Sequence, residues 1–203
     1  MKIELRNLQE EAWKVRFEPV ATLAKRVFGS VALVNDKETK SLAVLKIYEL
    51  NAVRREERRS VENEVHALLA LQGSAQVTQL LDAFTVPGRV CLKLEYLAGG
   101  SLAELLLSPL SAAQAISLGI QLCQAVQGVH AAGFLHLDIK PDNLLLTADH
   151  SVLKLADFGC ALPQGCVWSG QGTEAAVAPE LLCRGQLTCK ADIWAVGGVL
   201  AQL

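Results

Sequence analysis

The stretch HLDIKPDNLLL, residues 136–146, sets two carboxylates, a lysine and an asparagine just ahead of three leucines. Polar side chains held at the mouth of a buried strand need a reason, because uncompensated polar groups beside apolar packing cost stability. Asp138 can take or orient the proton of a hydroxyl, Lys140 can neutralise a transferring phosphoryl group, and the Asn143 amide oxygen can hold a metal ion. Those are the parts that phosphoryl transfer requires. Downstream, after the strand-like VLKLA (152–156), DFG at 157–159 adds a second carboxylate, Asp157. It is able to converge with Asn143 on one hard cation such as magnesium.

Around this cluster the bulk properties set limits. At 203 residues and 51% hydrophobic content the chain can bury a sizeable core, as one domain or one domain of two lobes. The 19 basic and 21 acidic residues give a net charge of -2, which argues against nucleic acid or an anionic membrane as the main partner. The six cysteines show neither a C-x-x-C pair nor histidines at zinc spacing, so reduced thiols are expected. The charged start MKIELRNLQEEAWKVRFEP does not read as a signal peptide or anchor, and no apolar run reaches membrane-spanning length. A cytoplasmic protein is the expectation.

Residues 20–48 alternate as three antiparallel strands do, PVATL, GSVALV and SLAVLKIY. From Asn51 to Leu71 the period becomes helical, with Val61, Val65, Leu68 and Leu69 on one face. Two more strands, QVTQLLDAF and RVCLKLEYL, flank the turn TVPG. AGGS (98–101) then breaks the pattern, and Ser111 is placed to cap a helix over Ser111–Ala132 with apolar residues on most faces, buried on several sides. A strand-rich domain over 1–97 and a helix-rich domain over 98–203 follow from this reading.

In chain order, AVLK (43–46), VENEVHALLAL (61–71), LEYL (94–97), HLDIKPDN, DFG, GTEAAVAPE (172–180) and KADIWAVG (190–197) resemble the signature set of the eukaryotic protein kinases. So many elements in one order are a specific signal, whereas each residue alone also fits a structural role. The resemblance implies an α+β, two-lobed kinase fold with a small antiparallel-sheet N-lobe carrying one helix, and a helical C-lobe left incomplete after Leu203. It implies ATP and Mg2+ as cofactors. Lys46 would grip the nucleotide phosphates and pair with Glu64, favoured over Glu62 because Leu68 one turn later then points into the core. Ala24, Gly29, Val31, Ala43, Glu95, Leu97 and Leu145 would line the nucleotide site, with backbone groups of residues 94–97 meeting adenine. Asp138 and Lys140 would be catalytic, Asn143 and Asp157 would hold the metal, Thr173 would contact Asp138 and Lys140, and Asp192 would brace the catalytic loop. His136 reads as structural. Lys140, two residues after Asp138, resembles the serine/threonine branch, so a protein serine or threonine is the implied substrate.

The chain also departs from the family. Of G-x-G-x-x-G, AKRVFG (24–29) keeps only Gly29, together with Phe28 and Val31. Arg26 stands where backbone should approach phosphate, and either hinders that approach or contacts phosphate itself. Leu137 replaces the arginine that usually pairs with a phosphate on the activation segment, which predicts ordering of that segment independent of phosphorylation. Ala176 replaces an aromatic. HLD and DFGC resemble the Mos kinases, GTE and LLCRG (181–185) with KADI (190–193) the Cot kinase. The helix from Lys190 would leave Ile193, Trp194, Val196, Val199 and Leu200 partly exposed, which implies a fragment, a splice product, or a covering partner or second copy. Against an intracellular signalling kinase stand two alternatives: a non-enzymatic scaffold module of kinase fold, and a small-molecule kinase, the latter opposed by GTEAAVAPE.

Overall fold

A computed structural model describes residues 5–26, 29–50, 55–170, 172–183 and 185–203, apart from the side chains of Arg26, Arg55, Glu56, Glu57 and Ala175. Residues 1–65 with 79–96 form one compact unit, and 66–78 with 97–203 a second.

In the first unit, alternating residues build β2 (Phe17–Arg26), β3 (Gly29–Asp36), β4 (Ser41–Glu49), β5 (Leu80–Val86) and β6 (Arg89–Glu95), with the two-residue β1 (Arg6–Asn7). The sheet order is β1-β5-β6-β4-β3-β2. The neighbours are antiparallel except β1 and β5, which run parallel, so the sheet is mixed rather than purely antiparallel. A short helix, α1 (Glu10–Arg16), precedes β2, giving this unit a helix beyond the one expected. Its acidic first turn and basic last turn complement the helix dipole, a pattern that reads in sequence only as scattered charge.

Strand parity divides the sheet into two faces. Val34 pairs with Ala43, and these pack with Phe17, Leu45, Phe84, Val86 and Cys91 into a buried cluster capped by Leu8 and Trp13. Val31 pairs with Lys46, which pairs in turn with Leu92, and these belong to the other face. Helix α2 (Arg55–Ala70) buries Val61, Glu64, Val65 and Leu68, while Leu69, expected on the same face, is 47% exposed because it lies 100° round the helix from Leu68.

The second unit holds α3 (Leu102–Leu105), α4 (Ala112–Ala131), β7 (Phe134–Leu135), β8 (Leu144–Leu146), β9 (Leu153–Leu155), β10 (Leu162–Pro163), α5 (Pro179–Leu182) and α6 (Lys190–Leu200). Ser111 and Gln114 form a reciprocal capping box that starts α4. That helix buries one face, Leu118, Leu122, Ala125, Val126 and Val129, and exposes Ile116 and Ile120, so it is not buried on several sides. β8 and β9 make an antiparallel hairpin, and β7 pairs with β10. The expected strand QVTQLLDAF is divided: Gln76 and Thr78 hydrogen-bond Leu155 of β9, and only Leu80 onward joins β6. Those bonds explain why residues 66–78 belong to the second unit. On α6, Ile193, Trp194 and Leu200 are exposed as expected, but Val196 and Val199 are buried. Among the described residues no helix is long and apolar enough to cross a membrane.

Candidate active site

The loop after β7 is held in an unusual shape. Leu137 has φ 64°, a left-handed conformation that costs an ordinary residue roughly 1–2 kcal/mol. Asp192, in the first turn of α6, stabilises it by accepting the N–H of His136 at 2.9 Å and of Leu137 at 2.8 Å. His130 Nε2 donates to the same carboxylate at 2.8 Å. Burial pushes the Asp192 carboxyl up, but the His130 hydrogen bond and these backbone donors outweigh it and hold it below the usual carboxylate range. Gly172 closes over the loop; a Cβ there would lie 2.3 Å from the Leu137 carbonyl oxygen, so no other residue fits. The Leu137 side chain is buried with Leu135, Ala178, Leu181 and Ala191, against which Leu162, Trp168 and Val177 pack.

His136 is fully buried, its ring edge-on to Phe158 at 4.8 Å. Its Nδ1 accepts the Asp138 N–H at 3.3 Å, so Nε2 carries the proton and donates to the Ala156 carbonyl at 3.0 Å. Burial holds the imidazole below its usual range, the neutral state that this pair of bonds requires. It fixes the loop.

Every polar atom of Asp138 is engaged. Oδ1 accepts the Thr173 N–H at 2.9 Å; Oδ2 accepts Asn143 Nδ2 at 2.8 Å and lies 3.0 Å from Lys140 Nζ. Lys140 Nζ also donates to Thr173 Oγ1 at 2.5 Å. The Asn143 amide nitrogen is further committed to the Asp138 carbonyl at 2.8 Å, which leaves the amide oxygen as the end of that side chain suited to a hard cation.

The β8–β9 hairpin carries the second carboxylate to this cluster. Leu144 pairs with Leu155, and the Ala156 N–H extends the ladder to the Asn143 carbonyl at 2.9 Å, so Asn143 and Asp157 stand at the same end of the hairpin. Asp157 takes a left-handed backbone and accepts the Gly159 N–H at 3.3 Å. Leu145, half-buried, points away from the buried pair Leu144 and Leu146, and Leu97 is buried in this unit. Among the described residues no group of three or more His, Cys, Asp or Glu could hold a metal ion. A cation here would depend on Asp157, the Asn143 oxygen and ligand phosphates, the sparse protein set magnesium accepts.

In the first unit Lys46 Nζ donates to Glu64 Oε1 at 2.5 Å, with both residues buried. Ala24 pairs with Val31, and Val31 with Lys46, which sets all three on one face. Gly29 is required by close packing, since a Cβ would lie 1.9 Å from the Ile47 carbonyl oxygen. Ala43 is the correction: one residue out of step with Val44 and Lys46, it points into the apolar cluster on the opposite face. Val44 is the residue of that strand sharing the Lys46 face, and parity counted back from Lys46 would have found it. Glu95 ends β6, its Oε1 accepting the Gln79 N–H at 2.7 Å, so its side chain closes the sheet. Phe28 and the Arg26 side chain lie outside the described residues. Tyr48, which donates its hydroxyl to Glu64 Oε2, carries no motif signal.

In the second unit a braced loop with one carboxylate held by lysine, amide and backbone and a second carboxylate beside it, and in the first unit a buried lysine–glutamate pair on a sheet, are the features of a protein kinase domain. The family model for the protein kinase domain matches residues 17–203, and the chain belongs to that family. It is 31% identical to the mitosis inhibitor protein kinase mik1 of Schizosaccharomyces pombe, over 93% of this chain and 35% of the relative. It is 32% identical to the serine/threonine-protein kinase Nek9 of Mus musculus (95% and 20%) and 30% identical to the CBL-interacting protein kinase 9 of Oryza sativa subsp. japonica (91% and 42%). The chain thus spans less than half the length of each of these relatives.

Proposed function

We propose that this kinase domain transfers the γ-phosphoryl group of ATP to a serine or threonine of a protein substrate, within an intracellular and cytoplasmic signalling pathway. The observation that carries the proposal is the set of bonds around Asp138. Thr173, Asn143 and Lys140 fix its carboxylate, so it can accept the hydrogen bond of an incoming hydroxyl without reorganising. Lys140, bridging Asp138 and Thr173, sets a positive charge beside the acceptor. Lys46, oriented by Glu64, would contact nucleotide phosphates, and Asn143 with Asp157 would hold Mg2+. When bound, Mg2+·ATP supplies the phosphoryl group and neutralises charge developing on its oxygens.

The scaffold alternative has no support from these residues, because each charged residue that transfer needs is present in the sequence. A Mos-like or Cot-like subgroup rests only on the short matches HLD, DFGC, GTE, LLCRG and KADI. The test is a magnesium-dependent nucleotide thermal shift, followed by autophosphorylation of the chain and of Asp138→Asn. The expected result is a shift for both proteins and a loss of transfer of about 1,000-fold in the variant. Nucleotide binding with no transfer by the unsubstituted chain would replace the enzyme reading with the scaffold one.

A further inference from the structure

Resting on the kinase reading, we infer that Tyr48 is a positioning residue that clamps Glu64 to Lys46 and so sets helix α2 for nucleotide before nucleotide arrives.

Tyr48 lies two residues beyond Lys46 on β4 and therefore on the same face of the sheet. Opposite it on β3 stands Gly29, which has no side chain to compete for that space. The Tyr48 hydroxyl donates to Glu64 Oε2 while Lys46 Nζ donates to Oε1, and the Lys46 ammonium stands 5.4 Å from the centre of the Tyr48 ring. One tyrosine thus touches both members of the pair.

The chemistry explains why a third member helps. A buried carboxylate has two oxygens to satisfy, and an ion pair survives burial only when the remaining lone pairs find donors. A second cation would compete with Lys46 for the charge of Glu64. A phenol donates without competing, and its ring face adds an attraction for the ammonium. Burial and the neighbouring Glu64 hold the phenol far above its usual range, so it stays a protonated donor at any working pH.

Glu64 is carried by a helix and Lys46 by the sheet, so the pair forms only when α2 is docked. The Tyr48 bond adds to the docked population. When only a fraction of molecules is competent, apparent affinity falls by that fraction, and saturating ligand restores full occupancy. Loss of the hydroxyl therefore acts on KM for ATP and leaves kcat intact, which general destabilisation of the fold does not do.

Tyr48→Phe keeps the ring and removes the donor. The expected result is a rise of about tenfold in KM for Mg2+·ATP, with kcat within about twofold and the rate recovered at saturating ATP. In ligand-free protein, hydrogen exchange of the α2 amides speeds up by a similar factor. Tyr48→Leu, which also removes the ring, raises KM further. A wild-type KM together with wild-type α2 exchange in Tyr48→Phe overturns the inference. Absence of nucleotide binding by the unsubstituted protein sinks the kinase reading instead; the exchange rates then decide, unchanged α2 protection overturning the clamp and faster exchange upholding it.

Discussion

The sheet of the first unit contains two buried lysine–carboxylate pairs, one on each face. Lys46 meets Glu64 at 2.5 Å, and Lys93 meets Asp36 at 2.5 Å, with side chains no more than 4% exposed in either pair. They differ in what surrounds the carboxylate. Asp36 also takes two bonds from the Arg16 guanidinium, at 3.1 and 2.9 Å, and the Glu38 N–H at 2.9 Å. Burial pushes its carboxyl up, but Arg16, Lys93 and the Glu38 N–H drive it far below the usual range. Among the described residues Glu64 meets one cation and one neutral phenol, and it sits on a helix. The Asp36 cluster is closed: two cations and a backbone donor tie β3, β6 and the end of α1 around one carboxylate. The Glu64 pair couples a helix to a strand, with Lys46 its one cation among the described residues. Burial and short distance alone do not mark a catalytic ion pair; the number and kind of donors, and whether the acid is carried by a strand or by a helix, separate the two.

The largest effect that sharpens this contrast is on stability. Asp36→Asn strips two cations of their shared counter-charge and is expected to cost about 3–5 kcal/mol in chemical denaturation. Lys46→Met should cost less, about 1–2 kcal/mol, because Glu64 keeps the Tyr48 bond. Activity should invert the order: Lys46→Met lowers phosphoryl transfer by about 100-fold or more, and Asp36→Asn leaves kcat of the folded protein within about twofold. Equal stability losses in the two variants would break the comparison.

Much of this arrangement was legible in the sequence, and the reasons for what was not are physical. Asp138, Asn143 and Asp157 stood out because polar residues beside leucine runs need compensation, and the hairpin register that joins Asn143 to Asp157 is set by those same leucines. Lys46 and Glu64 were found through motif order. The Asp36 cluster was hidden because its members come from positions 16, 36 and 93, with no spacing rule to link them. Lys93, a charge inside the apolar run VCLKL, was the one available hint. Tyr48 was hidden because an aromatic at a strand position fits packing as well as hydrogen bonding. Ala43 was misplaced through parity, since a slip of one residue moves a side chain to the other face. The helix α1 and the parallel pairing of β1 depend on tertiary contacts such as Arg6 with Asp82, the Leu8 N–H to the Thr85 carbonyl, and Trp13 against the apolar cluster, which local pattern does not report.

The next effect is on pH dependence, and it separates the closed cluster from the braced loop. A depressed carboxylate such as Asp36 contributes stability that is fully present above the unfolded value of about 3.9 and lost as pH falls through its folded value. Asp36→Asn should therefore flatten the acid limb below about pH 4. His136 behaves differently. Its folded value is depressed by burial, so the native state stays neutral where the unfolded chain takes up a proton, and stability declines as pH drops below about 6.5. Denaturant melts at pH 7 and about 5.5 should show that decline in the wild type and lose it in His136→Gln. A decline that persists in His136→Gln would assign it to another group.

The smallest effect concerns reactivity, and it asks whether the Asp36 face is sealed in solution. Cys91 lies on that face, with Ala43, Leu45 and Phe84, and is wholly buried. Burial pushes its thiol up to about 12, so almost no thiolate exists at neutral pH. Cys123, Cys166 and Cys183 are exposed. With iodoacetamide under native conditions, mass spectrometry of peptides should find these three modified and Cys91 untouched. Asp36→Asn, which removes the charge that closes the cluster, should admit the reagent to Cys91 at a measurable rate. Labelling of Cys91 in the wild type as fast as of Cys123 would show that this face opens readily, and the distinction between a closed structural cluster and a helix-borne functional pair would lose its basis.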